Sequence, residues 1–252
     1  MLQQFELTGR VALVTGSARG LGFEIARGMA AVGARVYVNG TNSERLQAAV
    51  ARLKELDVEV HPACFDVSDD AVAKDWIERF YGENGRLDIL VNNVGIRMRE
   101  PLAAIGPDQL RHMLNVDLVA AYSLARLAAP LMEQGGYGRI INVSSLAAQR
   151  ARRNDAAYII AKGGMNSMTL ALAAEFGPMG ITCNALMPGG FLTETNEHLK
   201  SPEMRASFKQ RMPLGRAGEP PEIAGPAVFL ASAAASYVTG VCFAVDGGVS
   251  AT

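Results

Sequence analysis

The chain has 252 residues, with 24 Lys and Arg against 25 Asp and Glu and a net charge of −1 at pH 7. This balance, with no basic run, argues against nucleic acid as a partner. Hydrophobic residues at 49% and charged residues at 19% describe a compact globular protein. No apolar stretch approaches the ~20 uncharged residues of a membrane span, so we expect neither a nucleic-acid nor a membrane partner.

The N-terminal segment and the cysteines bear on the cellular compartment. The segment MLQQFELTGR has no basic region followed by an apolar block, so we expect no secretory signal. Cys64, Cys183 and Cys242 are odd in number and lie beside apolar neighbours, which favours buried free thiols in a reducing cytoplasm. The three histidines show no metal-ligand spacing, so no metal site is expected.

The first forty residues predict a strand, a glycine turn, a helix and a second strand. The run from Val11 to Val14 is short, β-branched and apolar, as a buried parallel strand should be. Gly16, Gly20 and Gly22 follow, and helical periodicity begins at once. Such a turn leaves backbone N–H groups and the positive end of the helix dipole free for a pyrophosphate. A tight strand–helix turn without a ligand is the alternative.

The rest of the chain repeats this alternation of strand and helix. Strands are predicted near 10–15, 35–39, 59–65, 87–92, 138–143, 181–186 and 240–245, and helices near 20–32, 43–56, 69–83, 108–133, 156–177 and 220–232. Alternation of this kind predicts an α/β fold, a Rossmann-type doubly wound parallel sheet of about seven strands with helices on both faces. We expect a single domain over 1–252, with an irregular substrate lid at about 188–219.

Tyr158 and Lys162 are four residues apart in AAYIIAKGG, and Ser145 precedes the tyrosine by thirteen residues. On a helix the phenol and the ammonium would share one face. A free phenol titrates near pH ~10 and is a weak base at neutrality, whereas a nearby ammonium favours the phenolate. The pair therefore indicates a device for proton transfer. A half-buried tyrosine beside a solvated lysine is the alternative that the pair alone leaves open.

Six separated motifs together resemble the short-chain dehydrogenase/reductase family. They are T15-G-S-A-R-G-L-G22, N92-N-V-G95, Asn115, Ser145, the Tyr158/Lys162 pair and P188-G189, in the family's order and spacing over nearly the whole chain. VTGSARGLG, NNVGIRMREPL, ALAAEFGP and the ending AVDGG are further similar to the gluconate 5-dehydrogenase branch. The resemblance implies hydride transfer between a nicotinamide cofactor and a carbonyl carbon.

Catalytic roles follow from the same resemblance. Tyr158 would give or take the hydroxyl proton, and Ser145 would orient the substrate oxygen, with neighbouring Ser144 structural. Lys162 would favour the phenolate and anchor the nicotinamide ribose. Asn115 would hold a water that links Lys162 to solvent, although a buried asparagine at a helix irregularity remains compatible with this position.

The cofactor site implied by the resemblance uses several loops. It comprises Gly16, Ser17, Arg19, Gly20, Leu21, Gly22, Asn39, Thr41, Asn42, Asp66, Val67, Asn93, Gly95, Tyr158, Lys162, Pro188, Gly189, Phe191 and Thr193. Asp66 would accept from the adenine amino group, or instead cap the following helix, which Ser68 could also do. Val94 replaces the family's alanine in the N-N-A-G turn.

The end of the second predicted strand favours NADP over NAD. An acid there would bind the ribose 2′-hydroxyl and repel a 2′-phosphate, but Gly40 occupies that position. Arg19 lies where NADP-using members of the family often carry a base, whereas Thr41 replaces an arginine often found after the strand. We expect a phosphate site of Arg19 with Asn39, Thr41 and Asn42 as neutral donors.

Substrate and assembly are less closely defined by the sequence. Arg97, Arg99, Arg150, Arg152 and Arg153 lie in two loops near the site, and arginine binds carboxylates through paired hydrogen bonds. A polyol or sugar acid such as gluconate/5-ketogluconate is therefore one expectation, although these arginines could instead be solvated or lie in a subunit contact. A reductase of 3-oxoacyl thioesters or other ketones is the alternative, and the complete catalytic set argues against a regulator without chemistry.

We also expect a homotetramer. The predicted helices 108–133 and 156–177 carry more apolar positions than one sheet face can cover, namely Leu118, Val119, Tyr122, Leu124, Leu127, Met165, Met168, Leu170, Leu172 and Phe176. Two-fold contacts through these helices and through the C-terminal tail would bury the second face.

Overall fold

The computed structural model describes residues 2–251. Within that range seven parallel strands form one sheet in the order β3-β2-β1-β4-β5-β6-β7. The strands are β1 Val11–Val14, β2 Arg35–Gly40, β3 Val60–Cys64, β4 Ile89–Asn92, β5 Gly138–Val143, β6 Ile181–Pro188 and β7 Cys242–Val245. The strand order reverses between β1 and β4. The predicted Rossmann-type fold class is confirmed.

Helices cover both faces of this sheet. They are α1 Gly20–Ala31, α2 Ser43–Lys54, α3 Asp70–Asn84, α4 Pro107–Leu114, α5 Ala120–Gly135, α6 Ala156–Phe176, α7 Pro202–Arg211 and α8 Ala224–Ala231. Alternate residues of each strand supply the two layers of the core: Ala12 and Val14 pack with α1, α2 and α8, and Val11 and Leu13 with α3, α5 and α6. All four residues are buried, as expected for a parallel sheet covered on both sides.

The predicted helix over 108–133 differs from the structure. It is divided into α4 and α5 by a π-helical turn over Asn115–Val119. A π-turn inserts an extra residue into the helical ladder, and such turns are frequent at functional sites. The apolar periodicity continues through the turn, so the sequence pattern alone reads as one helix.

The segment 188–219 contains more regular structure than predicted. Strand β6 continues to Pro188, a 3₁₀-helix spans Glu194–Lys200, and α7 follows. Helix α7 was missed because it has no buried residue and therefore no apolar stripe. An isolated β-bridge between Phe191 and Gly218 joins the two ends of the segment outside the seven strands.

Two smaller expectations are corrected. Cys183 is buried, but Cys64 is exposed and Cys242 is intermediate, so the three thiols are free without all being buried. The cap of α3 is neither Asp66 nor Ser68: the Asp69 carboxylate accepts from the Ala71 and Val72 amides. No helix within residues 2–251 is both long and apolar enough to span a membrane.

Candidate active site

A cleft of about 440 Å³ runs along the carboxyl ends of β1, β4, β5 and β6. Loops after these strands line it, and parallel topology brings their ends to one edge. The sequence-predicted residues that line it are Gly16, Arg19, Gly20, Leu21, Asn93, Gly95, Ser145, Tyr158, Lys162, Pro188, Gly189, Phe191 and Thr193. The cleft also contains Arg97 and, from the following segment, Glu194, Thr195 and Asn196.

The turn between β1 and α1 has the form of a phosphate cradle. Gly16 and Gly20 both have φ of +60°, a region that favours glycine, and a Cβ at Gly20 would face open space. At Gly22 a Cβ would lie 2.4 Å from the Asn93 Nδ2 atom, so a side chain has no room. Arg19 makes no side-chain cap to the first turn of α1. Backbone N–H groups at the start of α1 can therefore bind an anion.

Two polar residues, buried Thr15 and partly buried Asn93, hold this turn in place. The Thr15 hydroxyl donates to Val91 O at 3.1 Å and accepts from the Asn93 amide N–H at 2.9 Å. Asn93 Nδ2 donates to Thr15 O and to Gly16 O, at 3.0 Å each. Thr15 is thus a structural residue that sequence reasoning quoted in a motif without giving it a role.

Asn39 supports the turn, whereas the sequence suggested a phosphate donor. Its Oδ1 accepts from the Gly16 amide at 3.2 Å, and its Nδ2 donates to Ala63 O at 2.9 Å and Phe65 O at 3.0 Å. The residue is buried, and both amide hydrogens are used. Ser17 is buried beside it and donates to Val14 O at 2.6 Å. The side chains of Asn39 and Ser17 are therefore committed to the fold.

Accessible side chains continue along the sheet edge beyond β1. Thr41 and Asn42 follow β2, and Asn42 caps α2 by accepting from Arg45 N, which leaves its Nδ2 free to donate. Asp66 follows β3, and its Oδ1 accepts from the Ser68 amide and hydroxyl at 2.8 and 2.7 Å. Val67 beside it is buried. These positions fit the adenosine end of a dinucleotide lying across the carboxyl ends of the strands.

The proton-transfer residues meet at the centre of the cleft. Tyr158 and Lys162 lie one turn apart on α6, and the Lys162 Nζ is 5.8 Å from the centroid of the Tyr158 ring. Ser145 follows β5; its Oγ accepts from the Ala147 amide at 3.1 Å, so its O–H remains available to donate. Ser144 is buried and donates to Lys162 O at 3.1 Å, which agrees with a structural role.

The buried carboxylate of Asp155 organises one wall of the cleft. Arg97 forms an ion pair with it through Nε, at 3.1 Å, and Nη2. Arg99 Nε lies 3.9 Å from the same carboxylate. The Arg97 guanidinium also covers the Tyr158 ring. Sequence reasoning noted the two arginines but missed Asp155. The available signal was an acidic residue three positions before Tyr158.

Lys162 has a carboxylate partner that sequence reasoning also missed. Its Nζ lies 3.3 Å from Asp117 Oδ2 and donates to Val143 O at 3.2 Å. Asn115, which the family resemblance placed near this lysine, is exposed and donates through Nδ2 to Ser68 O at 3.3 Å. The π-turn therefore brings Asp117, and not Asn115, against Lys162. An aspartate within an apolar helical stretch was the available signal.

The nicotinamide end of the predicted site is the loop after β6. Gly189 donates its amide to Val245 O at 3.0 Å, and a Cβ there would lie 2.8 Å from the Asp246 backbone. Phe191 and Thr193 are buried on the cleft side, and the Thr193 and Thr195 hydroxyls are 3.1 Å apart. The loop thus presents backbone groups and hydroxyls to the cleft that Tyr158 also lines.

The sequence matches known proteins over nearly its full length. Residues 16–250 match the family described as Enoyl-(Acyl carrier protein) reductase. The chain is 36% identical over 247 residues to gluconate 5-dehydrogenase of Gluconobacter oxydans (strain 621H), with 98% of this chain and 96% of that protein covered. It is 35% identical over 244 residues to 3-oxoacyl-(acyl-carrier-protein) reductase of Chlamydia pneumoniae, with 97% and 98% covered.

The fold is similarly close to solved structures. A gluconate 5-dehydrogenase from Burkholderia cenocepacia J2315, in complex with NADP and tartrate, superposes with a TM-score of 0.94 at 38% identity. The match covers 100% of this chain and 99% of that one. Gluconate 5-dehydrogenases are therefore among the relatives found by both the sequence and the structure comparison.

Proposed function

Because the chain belongs to the short-chain dehydrogenase/reductase family, we propose that it transfers a hydride between NADP(H) and a polyol or sugar acid of the gluconate/5-ketogluconate type. The family membership makes it an oxidoreductase acting on CH–OH groups with a nicotinamide cofactor. One observation carries the proposal: Tyr158, Lys162 and Ser145 meet in the cleft that the open N-terminus of α1 also faces.

Each catalytic side chain has a role at a stated atom. The cofactor supplies the hydride acceptor or donor. In alcohol oxidation, the Tyr158 phenolate oxygen takes the hydroxyl proton, and in ketone reduction the phenol gives it back. The Ser145 O–H donates to the substrate oxygen, since its lone pair already accepts from Ala147 N–H. The Lys162 ammonium favours the phenolate by charge and has a donor left for the ribose.

The preference for NADP rests on charge at the adenosine end. Gly40 ends β2 without a carboxylate, and Arg19 lies at the mouth of the cradle with an accessible side chain. Thr41 and the Nδ2 of Asn42 complete a set of donors for a 2′-phosphate, whereas Asn39 contributes only support. NAD would bind with the same cradle but without the charge-assisted contact to Arg19.

The sugar-acid substrate is supported by Arg97. Asp155 fixes its Nε and Nη2, and the guanidinium retains three N–H donors that can reach a substrate carboxylate above Tyr158. The first part of segment 188–219, from Pro188 to Asn196, lines the same cleft, and the segment would serve as the substrate lid. Reduction of 3-oxoacyl thioesters is the second candidate function, favoured by the similarity to the Chlamydia pneumoniae reductase.

A substrate screen tests these alternatives directly. Oxidation of NADPH is followed with 5-ketogluconate, an acetoacetyl thioester and simple uncharged ketones, and each reaction is repeated with NADH. The proposal predicts the highest kcat/KM with 5-ketogluconate and NADPH. A higher value with the thioester would select the second function, and faster turnover with NADH at equal concentration would contradict the cofactor assignment.

Assembly as a homotetramer and a cytoplasmic location complete the proposal. On α5 and α6, Leu124, Met165 and Leu172 are buried in the subunit, whereas Tyr122 and Leu170 remain 49% and 57% exposed. A two-fold contact between these helices would cover them, and β7 at the sheet edge offers a second contact. The free, exposed thiol of Cys64 suits a reducing compartment.

A further inference from the structure

Asp117 is a fully buried carboxylate in the centre of the site. It lies in the π-turn between α4 and α5, and its Oδ1 accepts from the Ile96 amide at 2.7 Å. Its Oδ2 has the Lys162 ammonium as ionic partner at 3.3 Å, and none of the described residues gives that oxygen a hydrogen bond. One carboxylate therefore links the π-turn, the loop after β4 and helix α6.

Gly95 leaves the space that this pair occupies. A Cβ at Gly95 would lie 2.9 Å from Asp117 Oδ2 and 3.0 Å from Lys162 Nζ, so the absence of a side chain at Gly95 makes room for the ion pair. Gly95 and Lys162 both line the cleft, although Lys162 is almost fully buried. The pair is thus built into the wall where the cofactor would lie.

The charged and titratable groups around Asp117 lie on α6, on α4 and in the loop after β4. Lys162 and Tyr158 are on α6, His112 is on α4, and Arg97 follows Ile96 in the loop after β4. The Arg97 charge is paired with Asp155, whereas the Lys162 charge faces Asp117 directly. The electrostatic potential that Lys162 creates at the phenol is therefore offset by Asp117.

We propose that Asp117 is a positioning residue that holds the Lys162 ammonium in place and, through its negative charge, sets the pH at which Tyr158 loses its proton. A buried anion beside the lysine opposes formation of the phenolate, because it offsets the positive charge that favours the phenolate. The inference rests on the proton-transfer role proposed above for Tyr158. It makes Asp117 a determinant of the working pH and not a group that touches substrate.

Ultraviolet titration of the phenolate tests the proposal without substrate or cofactor. The phenolate absorbance of the protein minus that of Tyr158→Phe isolates the one phenol. The same difference is then measured in the Asp117→Asn background, where an amide of equal size replaces the charge. The midpoint should move to lower pH by at least ~0.5 unit, because the lysine charge is no longer offset.

A matched control separates this effect from general loss of a buried ion pair. Asp88 is also a buried carboxylate, paired with Arg10 and Arg86 at the opposite edge of the sheet. Asp88→Asn should change thermal stability but leave the Tyr158 midpoint unmoved. A similar shift in that variant would show that altered folding, and not the Asp117 charge, moves the midpoint.

A second variant at Asp117 tests whether the shift comes from loss of the charge. Asp117→Ala also removes the charge and should shift the midpoint in the same direction, with circular dichroism confirming that both variants fold. Coincident midpoints, or a shift to higher pH, would overturn the proposal. Failure of both variants to fold would overturn it too, because Asp117 would then be required for folding. None of these outcomes depends on turnover, which Tyr158→Phe tests separately.

Discussion

The guanidinium carbon of Arg97 lies 4.7 Å from the centroid of the Tyr158 ring. The same guanidinium is paired with the buried carboxylate of Asp155, three residues before the tyrosine. An arginine that is held on one edge and stacked on an aromatic face loses little further entropy when it binds a carboxylate. This relationship makes Arg97 the strongest candidate for recognition of an acidic substrate.

Replacement of Arg97 should therefore discriminate between acidic and neutral substrates. Arg97→Ala is expected to lower kcat/KM for 5-ketogluconate roughly 10- to 100-fold, since a charge-assisted hydrogen bond contributes about 1.5–3 kcal/mol. Steady-state kinetics with an uncharged ketone should show a much smaller loss. Arg111→Ala, which removes an exposed arginine from α4, provides the control. Equal losses for both substrates would contradict a carboxylate contact.

Tyr158→Phe should abolish turnover while NADP(H) still binds, because only the transferable proton is lost. The expected decrease in kcat is at least ~10²-fold, the usual minimum for general acid–base catalysis. Cofactor affinity is measured by fluorescence titration of the same preparation. Retention of more than a few per cent of the wild-type turnover would remove Tyr158 from its assigned role.

Lys162→Met should damage both turnover and cofactor binding. It removes the charge that favours the phenolate and a donor for the ribose, and it leaves Asp117 as an unpaired buried carboxylate. The Kd for NADPH should rise together with the fall in kcat. An unchanged Kd in this variant would contradict the anchoring role.

Local patterns made most of the fold predictable from the sequence. Parallel strands buried on both faces read as short apolar runs, and the glycine turn after β1 is encoded within a few residues. The ion pair of Asp117 and Lys162 joins residues 45 positions apart through a π-turn that leaves the apolar periodicity unchanged. The same limit applies to Asn39, because its partners are Gly16 after β1, Ala63 in β3 and Phe65 just after β3, which only the folded sheet brings together.

The cofactor preference should respond to charge at the adenosine end. Arg19→Ala is expected to raise the Kd for NADPH roughly tenfold or more while changing that for NADH much less, since only the 2′-phosphate loses its charge-assisted contact. Gly40→Asp should shift the preference towards NADH, because a carboxylate binds the 2′-hydroxyl and repels the phosphate.

The structure has room for the side chain that Gly40→Asp introduces. A Cβ at Gly40 would be 3.6 Å from the Ala18 Cβ and 4.0 Å from the Leu46 Cδ1, which is ordinary contact. Both variants are compared by the ratio of kcat/KM values for NADPH and NADH. Ratios equal to that of the wild type would show that the 2′-phosphate binds elsewhere.

Asp117 should also affect how stability varies with pH. Burial raises the pKa of its carboxyl above the ordinary value of 3.8, against the opposing attraction of Lys162. A raised folded pKa means that the folded protein binds the proton more tightly than the unfolded chain. The contribution of Asp117 to the free energy of unfolding is therefore greatest below 3.8 and is lost as pH rises through the folded pKa.

Urea unfolding of the wild type and of Asp117→Asn across acidic to neutral pH checks this sign. The amide cannot titrate, so the wild-type free energy of unfolding minus that of the variant should fall as pH increases. Each unit by which the folded pKa is raised corresponds to a fall of about 1.4 kcal/mol. A difference that rises with pH would mean that Lys162 outweighs burial in the folded protein.

Assembly should depend on the exposed apolar face of α5 and α6. Tyr122→Arg places a charge where Tyr122 and Leu170 would meet the same helices of a second copy, and burying an unpaired guanidinium costs several kcal/mol. Light scattering after size exclusion should show a tetramer for the wild type and smaller species for this variant. Leu56→Arg alters an equally exposed leucine just after α2, remote from the proposed contact, and should leave the tetramer intact. A wild-type protein that is monomeric at micromolar concentration would refute the assembly outright.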